Sequence, residues 1–260
     1  MSISHKEQGS VPHNPVVAVV VETEDGRLVK EAECLVSKLG DPVGEPDHIV
    51  HFGRGGVDIR RATHPNKKGH QVDFSTIDRR TGAGNLSKKQ IFPKSIGQST
   101  TTIVDATAGF GVDAAMLAFM GYHVTAFERS PILSVLLRDG LQRAMDNQEL
   151  REAIGGRLSF VESDSIDALQ TTPTPDVVYL DPMFPKKRKK SALPPKNAQV
   201  LQSIIGYPNE EQTQQLFDLA LAVATKRVVV KRPNHAPQFH DNPVFVHKGK
   251  LVRYEVYKPL

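Results

Sequence analysis

The feature that most constrains the fold is an alternation of short β-branched runs with helix-like stretches, which begins at Thr101. This alternation is typical of a parallel sheet covered by helices, because parallel neighbours need a long crossover connection. The predicted strands are Thr101–Asp105, His123–Phe127, Arg157–Val161, Val177–Leu180 and Arg227–Lys231. The stretches with apolar residues at helical spacing are Asp113–Met120, Pro131–Met145, Ser165–Leu169 and Glu210–Ala224. We therefore predict an α/β fold with helices on both faces of the sheet.

Two other regions follow different patterns. Near the C-terminus, Val244–His247 and Leu251–Tyr257 flank a Lys-Gly-Lys turn and predict a β-hairpin. Before about Gly97, an apolar run, a turn at Asp25-Gly26, a helical stretch near Glu31–Leu39 and broken strand-like pieces predict a small α+β lobe. We therefore expect an N-terminal lobe of residues 1–96 and a larger domain of residues 97–260.

Composition narrows the class of protein. With 260 residues and 39% hydrophobic content, the chain is long enough to bury a sizeable core. No stretch approaches the ~18 consecutive apolar residues that cross a bilayer, so we expect a cytoplasmic protein without membrane contact. Cys34 is the only cysteine, which excludes an intrachain disulfide and a thiolate-rich zinc site, and we expect it to pack on a helix. The histidines lack metal-ligand spacing, so no metal is expected.

A glycine-bearing turn follows the first predicted strand of the alternation. The strand ends at Asp105, and Gly109-Phe110-Gly111 then leads into a helix. Glycines at such a turn allow the backbone to approach a ligand, and the helix start offers free N–H groups. The same spacing matches the dinucleotide fingerprint, so this turn alone does not separate nicotinamide cofactors from S-adenosylmethionine.

Acidic residues end the next two strands. Glu128 is placed to accept hydrogen bonds from ribose hydroxyls, which again fits both cofactors. Asp164 is placed to meet an adenine amine, and Ser165 to cap the following helix; capping alone would explain either residue. Because ligands of open α/β sheets bind at the carboxyl ends of strands, the three successive acids at positions 105, 128 and 164 indicate a cofactor site.

The strongest local signal is the run from Val177 to Pro185, a buried-strand pattern that ends in Asp-Pro-Met-Phe. It resembles the Asn/Asp-Pro-Pro-Tyr/Phe motif of methyltransferases that act on exocyclic base amines, with Met183 at the second proline. Such an amine is a poor nucleophile, so Asp181 and the Pro182 carbonyl would accept its hydrogens while Phe184 stacks on the extracted base. A turn after a core strand is the structural alternative.

Five consecutive cations follow this motif: Lys186, Lys187, Arg188, Lys189 and Lys190. Beside a base pocket they would neutralise phosphates of RNA and make binding salt-dependent. A basic loop or a localisation signal is the alternative. The formal net charge of the chain is only +4, which by itself indicates little. A polyanionic partner is indicated instead by the clustering of the cations, here and in pairs such as Arg79-Arg80 and Lys231-Arg232.

Together, the segments D-A-T-A-G-F-G-V-D-A, F-E-R-S-P, V-V-Y-L-D-P-M-F-P-K and A-T-K-R-V-V-V-K-R-P resemble the bacterial family of ribosomal RNA small-subunit methyltransferase J, over most of Thr101–Pro233. The resemblance implies a class I methyltransferase fold, S-adenosylmethionine as the cofactor, and N2-methylation of a guanine in 16S rRNA or the small subunit. It also implies cofactor binding by Val112, Asp113, Glu128, Arg129, Asp164, Ser165 and Asp181. Val112 stands where the family usually has Arg, which leaves a backbone N–H contact there.

Two alternatives remain open at this point. A nicotinamide-dependent oxidoreductase needs the same glycine turn and acidic strand end, but it gives no reason for the Asp181–Phe184 motif and the cations behind it. A non-catalytic RNA-binding protein explains the cations but not a nearly complete cofactor site. The oligomeric state has no sequence signal that we can interpret.

Overall fold

The structure is a computed structural model and describes residues 15–41, 43–81, 86–87, 89–182, 200, 202–204, 206 and 209–260. The strands are β1 Val17–Glu22, β2 His48–Gly53, β3 Gly56–Arg61, β4 Thr102–Asp105, β5 His123–Glu128, β6 Leu158–Glu162, β7 Val177–Leu180, β8 Arg227–Pro233, β9 Phe245–Lys248 and β10 Val252–Tyr257. The helices are α1 Gly26–Leu39, α2 Ile91–Ile96, α3 Val112–Phe119, α4 Pro131–Asp146, α5 Gln148–Ile154, α6 Ser165–Thr171 and α7 Glu210–Val223.

A seven-stranded sheet organises the larger part of the chain. Its strand order is β6-β5-β4-β7-β8-β10-β9. The strands from β6 to β8 are parallel to their neighbours, whereas β10 runs antiparallel to both β8 and β9. The predicted α/β fold is therefore confirmed, and the predicted C-terminal hairpin is the β9–β10 pair.

Both faces of this sheet are covered, and the period of two along each strand assigns side chains to a face. In β7, Val177 and Tyr179 join the core that packs against α3 and α4. Val178 and Leu180 face the other way, into a second core with α6 and α7. Because both faces are buried, β7 is apolar throughout instead of alternating with polar residues.

The N-terminal residues form a three-stranded sheet in the order β1-β2-β3, with β1 parallel to β2 and β2 antiparallel to β3. Helix α1 makes the crossover from β1 to β2. It begins at Gly26, five residues before the predicted start, because Asp25 acts as its N-cap. The Asp25 carboxylate accepts from the backbone N–H groups of Arg27 and Leu28 at 2.8 and 3.3 Å.

This small sheet shares its core with the large one. Asp139 of α4, which is 1% exposed, accepts from the Val57 N–H at 3.0 Å and contacts Arg27 at 3.3 Å and Arg143 at 2.9 Å. Hydrophobic contacts continue from the β2–β3 hairpin through α4 to β4. Moreover, α2, assigned by sequence to the N-terminal lobe, packs on β9 and β10. The division at residue 96 remains a prediction.

Some predictions about single features were wrong. Cys34 is exposed on α1 and does not pack into the core. The helices α2 and α5 were not predicted, since both are short and α5 follows α4 after only Asn147, whose side chain caps it.

In the described part of the chain, no helix combines the length and apolar character that crossing a bilayer requires.

Candidate cofactor and base-binding site

The strand order of the large sheet reverses between β4 and β7, which is its topological switch point. From β4 the chain moves outward through β5 and β6, and it then returns to β7 on the other side of β4. A crevice forms outside the carboxyl ends of strands at such a switch point. An open cleft lies there. Its walls are Ala106, Thr107, Gly109, Phe127, Glu128, Arg129, Asp164, Ser165, Ile166, Asp181, Pro182, Gly206, Gln212, Thr213 and Leu216.

The glycine turn contributes Gly109 to the wall of this cleft. Gly111, which has a φ of 70° and precedes the first residue of α3, requires a conformation that other residues rarely adopt. A Cβ atom at Gly111 would also lie 2.7 Å from side-chain carbons of Leu137 and Phe160. The turn therefore needs glycine at this position for both backbone and packing reasons.

Glu128, at the end of β5, is tied to this turn. One carboxylate oxygen accepts from the Gly109 N–H at 2.9 Å, and the other accepts from the Ser130 N–H at 2.8 Å. Burial raises the pKa of Glu128 to about 7, while these two backbone bonds and the Arg129 charge lower it. Each carboxylate oxygen can accept a second hydrogen bond, so Glu128 can still receive a ligand hydroxyl.

The end of β6 supplies the next wall. Asp164 caps α6 by accepting from the Ile166 N–H at 2.9 Å, and its second oxygen lies 3.7 Å from the Arg129 guanidinium. The prediction that Ser165 caps α6 was wrong, because Asp164 is the N-cap. The Ser165 hydroxyl instead donates to the Ala106 carbonyl at 2.7 Å, which fixes the β6 end against the β4 end. Asp164 thus has a structural role as a cap and also lines the cleft.

The end of β7 supplies the opposite wall. Asp181 and Pro182 both line the cleft, and the Asp181 backbone N–H donates to the Thr107 hydroxyl at 2.6 Å. The Asp181 side chain is 38% exposed, so its carboxylate is accessible from the cleft. Phe184 and the cations at positions 186–190 lie outside the described residues.

Behind Asp181 lies a cluster of charged and hydroxyl groups. The Lys231 ammonium is 3.0 Å from Asp181 Oδ2 and 2.6 Å from Asp113 Oδ2, and the Tyr179 hydroxyl donates to the same Asp113 oxygen at 2.5 Å. Partial burial raises the pKa of Asp181, the Lys231 charge opposes that rise, and the Asp113 charge adds to it. Burial disfavours the charged form of Lys231, but the two carboxylates outweigh it and raise its pKa.

Asp105 lies beneath the cleft and not in its wall. It is 1% exposed, and its carboxylate accepts from the Thr107 N–H at 3.0 Å. Burial raises the pKa of Asp105 to about 8, helped by the charges of Asp113 and Asp181 and opposed by Lys231. At neutral pH this side chain is therefore protonated in the folded chain.

Comparison with known proteins decides the family. A family model described as "Putative SAM-dependent methyltransferase" matches residues 42–259. Ribosomal RNA small subunit methyltransferase J from Tolumonas auensis is 37% identical over 247 residues, which cover 92% of this chain and 97% of the relative. The chain belongs to the ribosomal RNA small subunit methyltransferase J family.

Other members and a solved structure agree with this assignment. The methyltransferase J of Thioalkalivibrio sulfidiphilus is 36% identical over 256 residues, covering 93% of this chain and 97% of that relative. A crystal structure of a SAM-dependent methyltransferase from Neisseria gonorrhoeae superposes with a TM-score of 0.66 and 27% identity, over 93% of this chain and 96% of that one. The predicted Rossmann-like methyltransferase fold and S-adenosylmethionine as the cofactor are confirmed, and the oxidoreductase alternative is set aside.

Within this methyltransferase J fold, the predicted site residues separate into two groups. Those that the structure brings to the cleft wall are Gly109, Glu128, Arg129, Asp164, Ser165, Asp181 and Pro182. The others lie behind or beside it: Asp105 is buried, Gly111 shapes the turn, Val112 is 47% exposed at the start of α3, and Asp113 contacts Lys231.

Sequence reasoning missed the apolar walls and the lysine behind Asp181. Phe127, Ile166 and Leu216 line the cleft and are suited to the faces of a purine ring. Lys231 was interpreted as one of a pair of cations for a polyanion, but its ammonium is bound to two carboxylates. Strand register is the signal that would have found it, since Leu180 pairs with Val230 and the next residues are Asp181 and Lys231.

The basic pair Arg79-Arg80 is also held by protein groups. Arg79 contacts Glu149 at 2.6 Å and Arg80 contacts Asp78 at 2.8 Å. His51 lies 3.0 Å from Glu22. Over the described residues, no group of three or more His, Cys, Asp or Glu side chains is arranged to hold a metal ion.

Proposed function

We propose that this chain transfers a methyl group from S-adenosylmethionine to the exocyclic N2 amine of a guanine in 16S rRNA, presented as free RNA or in the small ribosomal subunit. The relatives named above supply the substrate class. The observation that supports it most directly is that the Asp181-Pro182 strand end and the Glu128 strand end line one cleft. A cytoplasmic location, where bacterial ribosomal subunits are made, is part of this proposal.

The residues of the cleft fit the cofactor. We assign Glu128 to the ribose hydroxyls, because its two oxygens are already fixed by backbone N–H groups and retain acceptor capacity. Asp164 and the apolar walls from Phe127 and Ile166 suit an adenine ring and its amine. The sulfonium of the bound cofactor supplies an electrophilic methyl group. Arg129, Ser165, Val112 and Asp113 remain proposed cofactor contacts.

Asp181 is the proposed catalytic residue. Lys231 binds its Oδ2 atom at 3.0 Å, and we assign the Oδ1 atom and the Pro182 carbonyl to the hydrogens of the target amine. Held in this way, the amine keeps its lone pair directed at the methyl carbon, which is an effect of orientation. The N–C bond would form as the S–C bond of the sulfonium breaks, with S-adenosylhomocysteine as the leaving group, and Asp181 Oδ1 would accept the proton of the N–H bond that is lost. Phe184 is proposed to stack on the base, and the cations at positions 186–190 to contact phosphates.

The test is transfer of tritiated methyl groups to small ribosomal subunits from a strain that lacks the protein, followed by nucleoside mass spectrometry. We expect N2-methylguanosine as the product. The Asp181→Ala variant should lose at least about a hundredfold in rate with RNA affinity nearly unchanged, because the carboxylate acts on the amine and not on phosphates. Near-normal turnover by Asp181→Ala, or a different methylated nucleoside, would contradict the assignment.

A further inference from the structure

A second, open cleft lies at the opposite end of the large sheet. Its lining includes Thr100, which precedes β4 by two residues, Tyr122, which directly precedes β5, and Arg227, the first residue of β8. These are the amino ends of the parallel strands, whereas the cofactor cleft lies at their carboxyl ends. From Arg227 to Lys231 the strand rises roughly 13 Å. The two clefts are therefore separate sites.

The charge of this second cleft is one-sided. Lys94 of α2, Arg227 and His247 of β9 line it, and its lining contains no Asp or Glu among the described residues. The Arg227 guanidinium donates to the Ser95 carbonyl at 3.0 Å. The pKa of His247 is lowered by burial and then by the charges of Arg227 and Lys94, which places all three groups in one electrostatic field.

Aromatic rings lie beside these cations. Phe245, which is 59% exposed, is stacked with His247, with ring centroids 6.3 Å apart and ring planes 27° apart. Tyr122, which is half-buried, also lines the cleft. Cations combined with exposed ring faces are what single-stranded nucleic acids bind, through phosphates and stacked bases.

We propose that this cleft, which we call the α2 groove, is a second RNA-binding surface, and that it holds a single-stranded or looped segment of the substrate RNA remote from the target guanine. The inference rests on the proposed function for its substrate class. Lys94 and Arg227 bind phosphates, and Phe245 stacks on a base. The groove thus adds affinity for RNA without touching the methyl-transfer site.

Two variants separate the electrostatic and stacking contributions. Lys94→Glu should weaken binding of a short fluorescent single-stranded RNA by about tenfold and lower the slope of log Kd against log salt by about one. Phe245→Ala should weaken binding by about fivefold or more with an unchanged slope, because stacking releases no counterions. Arg227 is left unchanged, since its guanidinium also supports the end of α2.

Matched controls lie on α1, at Lys30→Glu and Val36→Ala, which alter an exposed lysine and an exposed valine. Binding of S-adenosylhomocysteine, measured by calorimetry, should be unchanged in every variant and shows that the fold is intact. Wild-type affinity and salt slope in both groove variants would overturn the proposal. So would equal competition by poly-aspartate, which would indicate an acidic protein as the partner.

Methyl transfer to small subunits by the unmodified chain tests the proposed function separately. If transfer fails while the short RNA still binds in a Lys94-dependent manner, the substrate assignment is wrong and the groove is supported. If transfer succeeds and the groove variants bind like the wild type, the groove is wrong and the function stands.

Discussion

Replacing Asp105 with Asn should make the stability of this protein less dependent on pH. Asp105 is fully enclosed, and its pKa is raised from the ordinary 3.8 to about 8. Between these values the folded chain holds a proton that the unfolded chain releases. Asn has the shape of the protonated acid, and its side-chain oxygen can still accept from the Thr107 N–H.

The sign follows from proton linkage. Because the folded state binds more protons than the unfolded state in this window, the free energy of unfolding falls as pH rises, by up to ~1.4 kcal/mol per pH unit. The stabilisation is fully present below about pH 4 and is lost by about pH 8, in total on the order of 5 kcal/mol. Asp105→Asn removes this loss, so its advantage over the wild type should grow by roughly 3–4 kcal/mol between about pH 5 and about pH 8.

Urea denaturation followed by circular dichroism, at about one-unit steps of pH, measures this difference. The raised pKa of Glu128 gives a slope of its own, which cancels because both proteins carry it. Asp167→Asn, which neutralises an exposed carboxylate of α6, is the matched control and should leave the slope of the wild type unchanged. A difference between Asp105→Asn and wild type that stays constant with pH would refute the reasoning.

Three further variants test other features. Gly111→Ala should destabilise the fold by about 2–4 kcal/mol, because position 111 has a positive φ and the new Cβ would contact Leu137. The variant should also bind the cofactor more weakly in calorimetry. A melting temperature equal to that of the wild type would contradict the predicted loss of stability. In Lys231→Met the Asp181 carboxylate loses its nearest cation, so its pKa should rise and the acidic limb of kcat/KM against pH should move upward by about one unit or more. The control Lys226→Met should leave this limb unchanged. An unchanged limb in Lys231→Met would exclude the role of Lys231 in holding the Asp181 carboxylate. Asp139→Ala should cost about 3–5 kcal/mol in urea denaturation by leaving the Arg143 guanidinium without its buried partner; a loss below ~1 kcal/mol would argue against that role.

Much of the fold could be predicted from the sequence because its parallel strands are buried on both faces. The β-branched, apolar run Val177–Leu180 indicates a central strand, and its predicted bounds match the structure. The start of α1 was misplaced because Asp25-Gly26 has the composition of a turn. Whether an Asp side chain closes a turn or caps a helix depends on the residues that follow, and here the apolar face of α1 decides it.

The site was predictable where it depends on strand ends and unpredictable where it depends on packing between distant segments. Glu128 ends β5 and Asp164 follows the end of β6 by two residues, and both were found for that reason. The wall from α7, at Gln212 and Leu216, has no local motif, since it reaches the cleft only because the helix packs beside β8. The Lys231 contact to Asp113 joins residues 118 positions apart, which no linear pattern encodes.

The two backbone bonds accepted by Glu128 have a consequence for how its role is measured. The same carboxylate that we assign to the ribose also fastens the glycine turn to the start of α4. Recognition and architecture therefore share one side chain. Replacing Glu128 would remove its proposed ribose contact and also the two backbone hydrogen bonds that shape the cleft. A loss of activity in such a variant therefore combines both effects.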